Sequence, residues 1–195
     1  MILSAPSGCG KTTLADRLLK RHPEWVRSVS VTTRAARIGE KKGEDYFFVS
    51  PQAFRQMEAK GELLESANVF GHWYGTPKAF VMNHLGGGKN VLLAIDVQGT
   101  KKIKKALGKK VPILTLFVLP PSVKVLRERL EGRKTESPEE IRRRIEIAQD
   151  EIKEAGFYDH AVVNQNLEQT VLEIEGIVEK FQKERRARPH VLHSA

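Results

Sequence analysis

Residues 5–12 read Ala5-Pro6-Ser7-Gly8-Cys9-Gly10-Lys11-Thr12, with the apolar stretch Met1 to Ser4 directly before them and a helical pattern directly after. Strand, glycine-rich turn and helix in that order form the setting that a phosphate-binding loop requires. Gly8 and Gly10 let backbone N–H groups converge on a polyphosphate, and the N-terminus of the following helix adds its partial positive charge. Lys11 then reaches the β and γ phosphates, and Thr12 offers a hydroxyl to Mg2+. The general pattern opens on glycine where this chain has Ala5, which leaves the charged and metal-binding parts intact. Cys9 stands at a variable position, where a small residue without a redox role is expected.

Beyond the loop, apolar β-branched runs alternate with helical patterns. Strands are expected at Met1 to Ser4, Val26 to Thr33, Val91 to Asp96, Ile113 to Leu119 and Ala161 to Asn164. Helices are expected from Lys11 to Arg21, Gly99 to Leu107, Ser122 to Leu130, Pro138 to Ala155 and Leu167 to about Arg186. This alternation is the pattern of an α/β fold with a five-stranded parallel sheet flanked by helices. Residues 34–88 break it, with short strands at Tyr46 to Val49 and Leu63 to Phe70. A helix lies between them, capped by Ser50, opened by Pro51 and stopped by Gly61. They read as a small mixed lobe inserted into the core.

A second irregularity, Glu131 to Ser137, is polar with no apolar periodicity and reads as a mobile loop. The helix after it starts with Ser137 as N-cap, Pro138 at the first position and Glu140 completing a capping box, and Gly156 ends it. Its apolar stripe is Ile141, Ile145, Ala148, Ile152 and Ala155. At about 100° per residue, Arg144 leans toward that stripe, while Arg142 and Arg143 point to the far side. Asp96 ends an apolar strand at the sheet edge where ligands collect, which makes it the expected metal-organising carboxylate.

Composition limits the alternatives. One domain is expected from 195 residues, and 40% hydrophobic residues suffice for a core, so wholesale disorder is excluded. A single cysteine forms no internal disulfide, and the six histidines lack metal-ligand pairing. No run is long and apolar enough to span a membrane, and the start lacks a secretory signal, so a cytoplasmic location without membrane association is expected. The net charge of +9 suggests a polyanionic partner. The basic clusters Lys101 to Lys110 and Lys183 to Arg188 read as solvated faces; without interleaved aromatics, no nucleic-acid partner is expected.

The stretch Ser28-Val29-Ser30-Val31-Thr32-Thr33-Arg34, continued by Arg37, Gly39-Glu40, Gly43 and Asp45-Tyr46, resembles a phrase of the guanylate kinase family, with Ala36 in place of its proline. Further matching motifs follow in order. They are Gly61 to Glu65, Tyr74-Gly75-Thr76, Ile95-Asp96-Val97-Gln98-Gly99, Pro120-Pro121-Ser122, Arg129 to Glu136 and Val163-Asn164, so the resemblance covers roughly residues 1–180.

The resemblance implies a P-loop NTPase-type fold with a core (1–33, 89–128, 156–195), a GMP-binding lobe (34–88) and a mobile lid (129–155). It implies ATP-dependent phosphorylation of GMP and dGMP by a monomer or homodimer, with Mg2+ as cofactor. Ala5 to Thr13, that is Ala5, Pro6, Ser7, Gly8, Cys9, Gly10, Lys11, Thr12 and Thr13, together with Asn164, are then the ATP-binding residues. Arg34, Arg37, Tyr46 and Tyr74 match the clamp for the GMP phosphate, Glu65 matches the acceptor for guanine N1–H and the 2-amino group, and Ser30, Thr76 and Asp96 complete the GMP site. Lys11, Asp96, Arg133 and Arg144 match the catalytic set, with Arg129 a weaker candidate. Two departures stand out: Ala94 where many relatives carry an acid, and Lys134 where the lid has glycine. Scaffold relatives that hold phosphorylated peptides typically lack a working loop, so intact Lys11 and Thr12 favour an enzyme. The guanine-site set argues against a kinase for a phosphorylated sugar.

Overall fold

A computed structural model of the chain describes residues 1–108, 110–132 and 137–187. The first strand, β1 (Ile2–Ser4), is only three residues long and wholly buried, yet it occupies the centre of the sheet. Ile2 lies opposite Leu93 of β7 (Val91–Ala94) on one side and Thr115 of β8 (Thr115–Leu119) on the other, both in parallel. The sheet is completed by β2 (Val26–Arg27) outside β7 and β9 (His160–Val163) outside β8, giving the order β2-β7-β1-β8-β9 with every pairing parallel.

Both faces are covered, as the near-continuous apolar strands demand. On one face Leu3, Leu116 and Val118 pack against Leu14 and Leu18 of α1 (Lys11–Arg21), Leu126 and Leu130 of α5 (Val123–Glu131), Ile141 and Ile145 of α6 (Pro138–Lys153), and Val171 and Ile174 of α7 (Leu167–Ala187). On the other, Ile2, Val91 and Leu93 meet Val81 of α3 (Lys78–Gly86) and Ile103 and Leu107 of α4 (Val97–Leu107). A fully buried aliphatic side chain contributes roughly 1.5–3 kcal/mol, so this two-sided burial anchors even a three-residue strand.

The expected strand Val26 to Thr33 divides into two. After β2 the Ser28 amide still donates to the Leu92 carbonyl at 3.0 Å, but the Ser30 carbonyl accepts from Phe47 N at 2.9 Å, outside the core sheet. Val31–Thr32 then forms β3 of a second sheet, parallel to β4 (Phe47–Phe48) and antiparallel to β6 (His72–Pro77), which in turn pairs antiparallel with β5 (Leu63–Val69). The lobe sheet therefore has the order β4-β3-β6-β5 and takes in residues before Arg34. Ser50 caps α2 (Pro51–Ala59) as expected, accepting from Ala53 N at 3.1 Å.

The capping box of α6 is formed in full: Ser137 Oγ accepts from Glu140 N, and Glu140 Oε2 accepts from Ser137 N at 2.7 Å. The helix closes at Lys153 and the chain tightens into a 3-10 turn, Glu154–Phe157, short of the expected end at Ala155.

Candidate active site

One cleft of about 260 Å³ runs between the carboxyl ends of the core strands and the lobe. Ala5, Pro6, Ser7, Gly8, Gly10, Lys11, Thr12 and Thr13 line its core side, and Cys9 is fully buried beneath them. Gly10, the N-cap of α1, has φ 85°, and a Cβ there would stand 2.6 Å from Asn164 Nδ2, so conformation and space both require glycine. Asn164 lies behind the loop and does not line the cleft: its side-chain Nδ2 donates to the Cys9 carbonyl at 2.9 Å, and its backbone carbonyl accepts from Arg129 Nη2 at 2.9 Å. Lys11 Nζ donates to the Ile95 carbonyl at 3.2 Å. Burial lowers the pKa of the Lys11 ammonium, while the Asp96 and Glu151 carboxylates act to raise it.

Asp96 stands at the end of β7's extension and caps α4, its Oδ1 accepting from Gly99 N at 2.8 Å. The expected strand thus stops two residues early because Asp96 has turned to begin a helix. Ala94 also lines the cleft and brings no charge.

Arg144 fulfils the helical-wheel expectation: it is half-buried and lines the cleft, while Arg142 and Arg143 are exposed. Its Nη1 donates to Ser7 Oγ at 2.8 Å, and its guanidinium carbon lies 4.5 Å from the centroid of the Phe70 ring. Arg133 and Lys134 lie outside the described residues. Glu151 was not among the expected residues, yet it too lines the cleft. Burial pushes its carboxyl up to about 7 against the opposing pull of Lys11. The signal was present in the sequence, because Glu151 follows Arg144 by seven residues and shares its helical face.

The opposite wall carries Ser30, Arg34, Arg37, Tyr46, Glu65 and Tyr74. Arg34 is fixed from several sides: Nε donates to the Tyr74 hydroxyl at 3.2 Å, Nη2 to Glu40 Oε1 at 2.8 Å, and Cζ lies 5.4 Å from the centre of the Tyr46 ring. Glu40 Oε2 also accepts from Arg37 N at 2.7 Å, so this carboxylate, absent from the expected set, orders both arginine positions. Its signal was its place six residues after Arg34 and three after Arg37. Glu65 is buried, and the Thr76 hydroxyl donates to its Oε1 at 2.7 Å. Burial pushes the Glu65 carboxyl up to about 7, although the Thr76 bond opposes it. Thr76 itself is 1% exposed and sits behind Glu65, away from the cleft.

A phosphate-binding loop on one wall of a cleft, with arginines, phenols and a buried carboxylate on the other, built on a parallel α/β sheet, defines a P-loop nucleotide kinase. Comparison with known proteins agrees. The family model described as "Guanylate kinase" matches residues 1–181. Guanylate kinase of Wolbachia sp. subsp. Brugia malayi is 44% identical over 180 residues, covering 92% of this chain and 91% of that protein. Guanylate kinase of Clostridioides difficile is 44% identical over 178 residues, covering 91% and 85%. The crystal structure of guanylate kinase from Anaplasma phagocytophilum superposes with a TM-score of 0.76 at 36% identity, covering 92% of this chain and 83% of that one. The chain belongs to the guanylate kinase family. Among the described residues, no helix is long and apolar enough to cross a membrane.

Proposed function

We propose that this protein transfers the γ-phosphoryl group of ATP to GMP or dGMP, giving ADP with GDP or dGDP. The observation that carries this reading is that a single cleft has the Ala5–Thr13 loop on one wall and Arg34, Tyr46, Glu65 and Tyr74 on the other. Two phosphorylated ligands can therefore meet inside one cleft. Phosphoryl transfer asks chiefly for such positioning and for charge stabilisation.

Each residue then has a task set by its chemistry. The loop amides and Lys11 hold the ATP phosphates, with Asn164 fixing the loop from behind. Arg34, Arg37, Tyr46 and Tyr74 hold the acceptor phosphate, since guanidinium forks suit its oxygens. The Glu65 carboxylate accepts guanine N1–H and the 2-amino group, Thr76 holds that carboxylate from behind, and Ser30 and Asp96 flank the acceptor. Adenine would leave Glu65 without donors in a buried setting, a loss of several kcal/mol. Arg144, held at Ser7, faces the region between the walls and stabilises the charge of the transferring group.

Mg2+ fits this site as an ion carried with the phosphates. Among the described residues, no group of three or more acidic, histidine or cysteine side chains could hold a metal alone, whereas Mg2+ binds through one or two protein oxygens plus phosphates and water. Thr12 and Asp96 are the residues that would hold it, and the ion supplies charge neutralisation on the donor phosphates when bound.

An ADP-release assay offering GMP, AMP, CMP and UMP tests the reading. GMP is expected to exceed the others by about 10³-fold or more in kcat/KM, as for sites built around a substrate's hydrogen-bonding groups. Equal rates on all four would sink it.

A further inference from the structure

The β5–β6 hairpin turns through Phe70 and Gly71, and Val69 pairs with His72 on either side. Both turn residues have positive φ, 52° for Phe70 and 81° for Gly71. Turns of this two-residue kind favour Asn-Gly, and a bulky aromatic residue in the left-handed region is strained. Phe70 is the only described residue other than glycine in that region. Its ring is half-buried and lies outside the three core clusters among the described residues. What the ring does meet is Arg144, whose guanidinium carbon stands 4.5 Å from its centroid. The same guanidinium donates to Ser7 Oγ on the donor loop at 2.8 Å. Phe70 comes from the lobe, Ser7 from the core and Arg144 from α6, so three separate elements converge on one cation at the cleft.

We infer that Phe70 is a positioning residue for phosphoryl transfer: its ring face, projected by a strained hairpin turn, holds the Arg144 guanidinium over the donor loop. The inference rests on the reading of Arg144 as the charge-stabilising cation. An arginine side chain has many rotamers, and a ring face together with one hydroxyl acceptor restricts the guanidinium to a plane. A cation held in place before the reaction stabilises transferring charge without having to reorganise. The strained turn is accordingly kept for function at the expense of local stability.

Four variants assayed with GMP and ATP decide the matter. Phe70→Leu keeps apolar bulk but removes the π face, and kcat is expected to fall about five- to thirty-fold, the range of a desolvated cation–π contact, with both KM values within about twofold. Phe70→Trp keeps the face and is expected to retain most of the rate. Phe70→Asn suits the turn, so its melting temperature is expected to equal or exceed that of the parent while kcat falls as for the leucine variant. In Arg144→Ala, kcat is expected to fall by about 10² or more, and adding Phe70→Leu to it should cost nothing further. If Arg144→Ala loses rate but Phe70→Leu and Phe70→Asn do not, or if the Phe70→Leu loss persists undiminished without Arg144, the positioning role is overturned alone. If Arg144→Ala keeps full kcat, the assignment of Arg144 and the role of Phe70 fall together.

Discussion

The Thr76 hydroxyl donates to Glu65 Oε1 at 2.7 Å while a Cβ on Gly99 would stand only 2.9 Å from Glu65 Oε2, so the carboxylate is bonded at one oxygen and its other oxygen occupies space that only glycine leaves open. Little freedom remains to the carboxylate that we propose reads the guanine edge.

Protonation of Glu65 should therefore be visible in binding. Its carboxyl is pushed up to about 7 by burial, above its ordinary value of 4.5, whereas accepting two guanine N–H groups needs the ionised form. GMP affinity is expected to weaken as pH falls below about 7, and binding near pH 6 should release a proton. Calorimetry in buffers of different ionisation heat measures it, and Glu65→Gln should reduce the proton release to the share of the GMP phosphate, whose second pKa is about 6. Because the folded protein binds this proton more tightly than the unfolded chain, the stability it contributes is complete below about pH 4.5 and lost as pH rises through about 7. Without ligand, Glu65→Gln is accordingly expected to raise the melting temperature at pH 8 relative to the parent and to leave it nearly unchanged at pH 4.5.

Gly99→Ala replaces glycine by the best helix former inside α4, and an isolated helix would gain up to about 1 kcal/mol. Here the added Cβ would stand 2.9 Å from Glu65 Oε2 and 3.1 Å from Asp96 Oδ1. We expect kcat/KM for GMP to fall by about 10² or more with helical circular dichroism unchanged; an unaffected rate would show that the two carboxylates need no such close fit.

Lys11→Ala removes the half-buried cation bonded to the Ile95 carbonyl at the head of α1. The turnover number is expected to fall by about 10³ or more, since the charge acts on phosphates whose negative charge shifts during transfer. Steady-state assays with saturating ATP and GMP distinguish this from weakened binding.

Asn164→Ala would remove the bond from Asn164 Nδ2 to the Cys9 carbonyl. Losing a buried hydrogen bond costs about 1–3 kcal/mol, so a drop in melting temperature of roughly 3–8 °C is expected, together with a higher KM for ATP and little change in KM for GMP. An equal rise in both KM values would contradict a role confined to the donor loop.

The features that could be read from the sequence were those written locally. The loop from Ala5 to Thr12, the Ser137–Glu140 capping box and the inward lean of Arg144 each depend on a few neighbouring residues, and each is present. The second strand of the lobe hairpin, His72–Pro77, escaped notice because it holds Gly75 and follows a Phe-Gly turn in place of Asn-Gly. The helix Lys78–Gly86 has no side-chain cap to mark its start. The break within Val26 to Thr33 lay beyond local reasoning, because the alternation runs on unbroken and only the partners of Ser28 and Ser30 change sheets. For Glu40 the sequence offers only its spacing from Arg34 and Arg37, and for Glu151 only the helical face it shares with Arg144; folding is what sets them beside Arg34 and Lys11.

The central place of β1 also bears on the birth of the chain at the ribosome. Ile2 through Ser4 are made before both of their neighbours: Ser4 bonds to Ile95, 91 residues later, and the partner on the other side is made later still. The opening segment must wait through synthesis of the whole lobe before hydrogen-bonding to any neighbour. Such late pairing of distant segments slows folding, so the loop from Ala5 to Thr13, made ahead of the strands that flank β1, is locked into place among the last parts of the core.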